Sequence, residues 1–189
     1  AAALLSLTQV LGPNAVLQLS WDATRISGFQ ASPYRRVAVG ADGTCAGTAG
    51  PCLPEIHPTE RLRNAPGFGV RTALGKHAST GLQYRFYFDD WDVMSHTVAP
   101  DLTFLVGQHG TLALTHRYYT QRRAYFYRPR YLGEPEDFRY LTRDRKLSTL
   151  YDNQVGLSYA QEFPLGSSGN SVLRSRSATR AAKSSSTRS

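Results

Sequence analysis

The sequence predicts an all-β fold: an antiparallel up-and-down transmembrane β-barrel, incomplete, with about seven strands present. Three observations carry this. Apolar and polar residues alternate over segments long enough to cross a bilayer, as in Val16-Leu17-Gln18-Leu19-Ser20-Trp21-Asp22 and Leu82-Gln83-Tyr84-Arg85-Phe86-Tyr87-Phe88-Asp89. Period two sends successive side chains to opposite faces of a sheet. Every second connection is short, the arrangement in which tight turns line one barrel rim and longer loops the other. Finally, no run of 18 or more apolar residues exists, so a helical span is excluded while a strand span, which needs only every second residue apolar, is not.

Strands are expected at about 3–11, 15–27, 62–74, 80–90, 96–106, 111–126 and 149–163. Short connections fall at 12–14 (Gly12-Pro13-Asn14), 75–79 (Gly75-Lys76-His77) and 107–110 (Gly107-Gln108-His109-Gly110), all rich in turn residues. Longer or more elaborate ones fall at 28–61, 91–95 and 127–148. One face of the strands reads Leu17, Leu19, Trp21 and Ala23; Leu82, Tyr84, Phe86 and Phe88; Val98, Leu102, Phe104 and Val106; Leu112, Leu114 and Tyr118; Val155, Leu157 and Tyr159. This is the expected lipid face. The opposite face carries Gln18, Ser20, Asp22 and Thr24, then Gln83, Arg85 and Asp89, and similar residues onward. Trp21, Phe88, Trp91, Tyr118, Tyr119, Tyr125, Phe126 and Tyr127 cluster toward the long-loop ends, where aromatic girdles form at a membrane boundary.

Charge and cysteine content narrow the function classes. The 189 residues carry a formal charge of +8, but Arg174, Arg176, Arg180, Lys183 and Arg188 sit in an acid-free tail, leaving 17 bases against 14 acids in the body. A chain-wide polyanion surface is not indicated, and no nucleic-acid partner is expected. Residues 1–165 are expected to form the barrel, as the C-terminal part of a longer one, and 166–189 a disordered Ser/Arg-rich tail. Cys45 and Cys52 share a loop rich in Gly, Pro and Thr. They are a candidate disulfide in an oxidising compartment, the alternative being two free thiols.

Candidate site residues follow from the polar face. Arg71, Arg85, Asp89, Asp101, Arg117 and Asp152 are lumen-facing candidates. Rings of charge in a barrel tune ion selectivity or hold a polar ligand, and mixed signs also pair with one another to fill a lumen. Arg128, Arg130, Arg143, Arg145 and Lys146 lie in a long loop, where they are candidates for contact with outer-leaflet phosphates, lipopolysaccharide included. Asp89, Asp90 and Asp92 supply either part of a loop cation site or a solvated acidic turn, and their spacing does not match an EF-hand loop. No metal or cofactor is expected. Five histidines occur, but no Gly-x-Ser-x-Gly elbow and no clear His–Ser pairing on one face, so the chain is not read as an enzyme.

The segments Leu7-Thr8-Gln9-Val10-Leu11 through Trp21, Gly28-Phe29-Gln30-Ala31-Ser32-Pro33-Tyr34-Arg35, Tyr84 through Trp91, and Tyr140-Leu141-Thr142-Arg143-Asp144-Arg145 together resemble an uncharacterised bacterial outer-membrane family, a domain of unknown function. The resemblance implies a β-barrel in the outer membrane of a Gram-negative bacterium and carries no catalytic or ligand residues with it. Val155 through Phe163 is also similar to the terminal strand of such barrels, which ends on an aromatic. The expectation is an outer-membrane barrel, porin-like or structural, whose partners are outer-membrane lipid and lipopolysaccharide. The alternatives are a soluble or periplasmic all-β binding module and a barrel enzyme acting on lipid.

Overall fold

The computed structural model describes residues 1–40, 45 and 52–164, with side chains through Glu162, and the backbone of 172–186. Seven long strands meander antiparallel: β1 (Ala2–Gly12), β2 (Ala15–Ser27), β5 (Glu60–Leu74), β6 (Ala78–Asp89), β7 (Met94–Val106), β8 (Gly110–Arg122) and β9 (Leu150–Pro164). Two short strands, β3 (Arg36–Ala38) and β4 (Cys52–Pro54), pair in the loop between β2 and β5. In the segment read as a tail, the backbone of β10 (Val172–Ser186) pairs antiparallel with β9. Among the described residues no pairing joins β1 to β10, so the sheet does not close into a barrel. The all-β, up-and-down character matches the expectation; closure is not found, because among the described residues the outer edges of β1 and β10 have no partner strand.

Alternation explains why the sheet is two-faced. Register places Leu19 opposite Phe68, Phe68 opposite Tyr84, and Tyr84 opposite Val98 on the outer face. Leu102, Leu114 and Leu157 form a second outward row. Gln18, Gly69, Gln83 and Ala99 are in register on the inner face. Apolar outer side chains stay open to their surroundings: Trp21 is 50% exposed, Leu114 45% and Leu157 49%.

The hydrophobic core is not in this sheet. Two buried clusters lie in the long connections and the β6–β7 turn, which fold together as a cap over one end of the strands. One comprises Trp91, Val93, Ala124, Phe126 and Leu147, the other Val37, Val39, Tyr131 and Leu141. The cap is stitched by backbone pairing between Ile56 and Leu141, whose amides donate to each other's carbonyls at 3.0 and 2.9 Å, and by a parallel bridge from Val39 to Tyr131. The Tyr131 hydroxyl accepts from the Thr142 amide at 2.9 Å and lies within donating reach of the Phe126 and Thr142 carbonyls. Cys45 and Cys52 are joined by a disulfide with Cα atoms 5.7 Å apart at the base of β4.

Two details differ from the sequence reading. The connection expected at 91–95 is a tight turn, Asp90–Val93, with Asp92 in the left-handed region at φ 62°. Trp91 and Phe126, read as boundary aromatics, are buried in the cap, and Tyr119 faces inward. Position along a strand suggests a girdle, but the turn after Asp89 rolls Trp91 under the loops.

Candidate functional site

The inner face is organised by ion pairs between strands. Arg71 on β5 donates to Asp101 on β7 at 2.7 Å, passing over β6 at Gly81. A Cβ at Gly81 would collide with Asp101 Oδ1 and come within 3.0 Å of Arg71 Nη2, so the bridge requires glycine there. Arg85 reaches Asp22 at 3.5 Å, and Arg117 reaches Asp152 at 3.7 Å. Asp89 is the most constrained group. Its Oδ2 accepts from Arg61 Nε at 2.8 Å and from the Tyr87 hydroxyl at 2.6 Å, while its Oδ1 accepts from the Trp91 and Val93 amides at 3.0 Å each.

All six lumen-facing candidates, Arg71, Arg85, Asp89, Asp101, Arg117 and Asp152, therefore have a partner of opposite sign. The structure brings them to one face, but as three pairs and a hub and not as a ring of free charge. Asp89 is a structural acceptor for the β6–β7 turn. Asp90 accepts from the Leu62 amide at 3.0 Å, and among the described residues no group of three or more His, Cys, Asp or Glu side chains is placed to hold a metal.

A cavity of about 500 Å³ lies between this face and the cap. Arg61, Arg63, Arg85 and Arg117 line it from the strands, and Asp144 and Lys146 line it from the 123–149 connection. Tyr87, Trp91 and Tyr119 supply its aromatic surface. The Arg61 guanidinium also sits 4.1 Å above the Trp91 ring, within cation–π range. Arg63 differs from its neighbours: its Nε is buried without a hydrogen-bond partner, and among the described residues it forms no ion pair. Sequence reading missed Arg61 because β5 starts at Glu60, earlier than expected. It does not single out Arg63, and it takes Lys146 as an outer-leaflet contact and not as a cavity residue, because their convergence depends on how the cap folds back over β5.

Of the proposed outer-leaflet contacts, Arg128, Arg130, Arg143 and Arg145 are exposed on the cap, Arg128 stacking 5.3 Å from the Phe138 ring. Lys146 is also exposed but borders the cavity.

Above the cavity, Glu55 ties the two long loops together. Its side chain is fully buried, accepting from Thr142 Oγ1 at 3.0 Å and the Arg143 amide at 2.7 Å, with Arg35 at 3.5 Å. His57 packs between Trp91 and Phe126, each ring centroid 5.6 Å away; among the described residues neither ring nitrogen makes a hydrogen bond, Nε2 standing 3.9 Å from Glu55 Oε2. Burial holds this imidazole below its ordinary pKa, outweighing the opposite pull of Glu55, the nearby Gln30 backbone and Asp144, while Arg35 adds to the lowering. The unfolded chain therefore takes up the proton first. The stability that neutral His57 supports is present above about pH 6.5 and is lost as pH falls from there toward the lower folded value. The thermal midpoint is expected to fall between pH 7 and 5.5, and to fall less in His57→Phe. Equal losses in both proteins would refute the assignment.

Residues 1–177 match DUF3570, described as a protein of unknown function. No curated protein and no solved structure matches the chain.

Proposed function

The chain belongs to DUF3570, a protein family of unknown function, and from that premise we propose that it forms the wall of an outer-membrane β-barrel of porin-like or structural role. The observation that carries this reading is the outer face. Its large apolar side chains are exposed, among them Leu19, Phe68, Leu82, Phe104, Leu114 and Leu157, or half-exposed, as are Leu102 and Leu112, while the inner face holds the ion pairs. In water, each square ångström of apolar surface left uncovered forgoes about 25 cal/mol; in lipid the same surface is at home. The long strands run 11 to 15 residues, against the roughly 9–11 that a tilted strand needs to cross a bilayer.

A membrane also supplies what the sheet lacks, since its buried apolar residues lie almost wholly in the cap. On this reading β1 and the far edge of the sheet pair with further strands, because unpaired backbone groups are not tolerated in hydrocarbon. The cap covers the extracellular mouth, and Arg128, Arg130, Arg143 and Arg145 reach the phosphates of lipopolysaccharide. A soluble binding module would have to cover the apolar face with another surface.

Membrane extraction tests the proposal. Expressed from its natural gene, the protein should fractionate with outer membranes and need detergent to remain monodisperse. A folded monomer in plain buffer would overturn the membrane assignment. Conductance steps in a planar bilayer would separate a pore from a purely structural barrel.

A further inference from the structure

We propose that the cavity beneath the cap binds a small solute through a doubly charged phosphate group. Five cations line it: Arg61, Arg63, Arg85, Arg117 and Lys146. Arg61 is held by Asp89, Arg85 by Asp22 and Arg117 by Asp152, the last two at 3.5 and 3.7 Å. Asp144, the one lining carboxylate, is engaged by Arg35 at 3.2 Å. Among the described residues this leaves Arg63 and Lys146 without a carboxylate partner, from opposite walls of one cavity.

The charge left over chooses the ligand class. Two unpartnered cations match a dianion, and their convergence on one cavity favours both charges on a single phosphate group over two separated carboxylates. Guanidinium forks suit phosphate oxygens, and the long contacts of Arg85 and Arg117 leave them free to turn toward a guest. The buried, unbonded Nε of Arg63 is a donor waiting for an acceptor. A volume of about 500 Å³ admits a phosphorylated small molecule and excludes a polymer. Tyr87, Trp91 and Tyr119 offer apolar surface for the remainder of the solute. The site lies on the inner face whether the outer face meets lipid or another surface, so it does not rest on the membrane assignment.

Calorimetric titration of the folded full chain with glycerol 3-phosphate, inorganic phosphate and succinate tests this, in detergent or in buffer as the chain requires. Saturable one-to-one binding of glycerol 3-phosphate is expected, with inorganic phosphate weaker and succinate weaker still. Arg63→Met should weaken it at least about tenfold, and Arg63→Lys less, because it keeps the charge but loses the fork. Lys146→Met, at an exposed cap position, should weaken it in the same direction without risk to folding. Lys76→Met, in the exposed β5–β6 turn outside the cavity, should leave it unchanged. The absence of saturable binding by the folded chain, binding indifferent to Arg63→Met and Lys146→Met, or succinate binding as tightly as glycerol 3-phosphate would each overturn the proposal. Loss of detergent dependence with binding retained would sink the membrane reading alone.

Discussion

Asp89→Ala is expected to destabilise the folded chain by about 3–5 kcal/mol, the range for removing one partner of a buried charge pair. The side chain is fully buried and holds five hydrogen bonds through two oxygens. Its loss strands the Arg61 guanidinium, itself nearly buried, with no carboxylate. It also leaves the Trp91 and Val93 amides without their acceptor, in a turn that already carries a left-handed Asp92. Trp91 is the ring on which His57 and Phe126 pack, so the damage passes from the turn into the cap. Asp89→Asn keeps one oxygen acceptor and should cost less, about 1–3 kcal/mol. Denaturant unfolding followed by tryptophan fluorescence reads both values. An Asp89→Ala protein within about 1 kcal/mol of the parent would refute the hub, since that is the scale of a single ordinary hydrogen bond.

That hub marks the limit of what sequence could reveal. The strands were legible because alternation is local: Leu17, Leu19 and Trp21 against Gln18, Ser20 and Asp22 fix the two faces of β2 without knowledge of any other strand. The same local signal put Arg71 and Asp101 on one face. Their pairing is a matter of register, because Gly81 must stand between them to let the side chains meet. The cap was illegible for a deeper reason. Glu55 meets Thr142 and Arg143 across more than eighty residues of chain, and neither loop has a period that announces a buried face. Trp91 and Phe126 illustrate the cost: as aromatics near strand ends they read as boundary residues, yet the loops enclose them. The cavity inherits the same difficulty. Arg63 lies on a readable face, but Lys146 joins it only after the 123–149 connection folds back.

The outer face offers the sharpest contrast between lipid and water. Leu114 lies in the middle of β8, in register with Leu102 on one side and Leu157 on the other, and is 45% exposed. If this face meets lipid as proposed, Leu114→Arg should cost about 2–4 kcal/mol of folding free energy in bilayers, the penalty for a cation near the midplane. Gln83→Arg, on the inner face in register with Gly69 and Ala99, should cost no more than about 1 kcal/mol, because a charge there meets a polar lumen. The same pair behaves differently if the face is merely open to water. Leu114→Arg then replaces an exposed leucine by a solvated charge, which leaves stability within about 0.5 kcal/mol and improves solubility. Refolding both variants into phospholipid vesicles, with denaturant titration of each, separates the cases. A Leu114→Arg penalty no larger than that of Gln83→Arg would mean that the two faces of the sheet share one environment, and the lipid-facing assignment would fall with it.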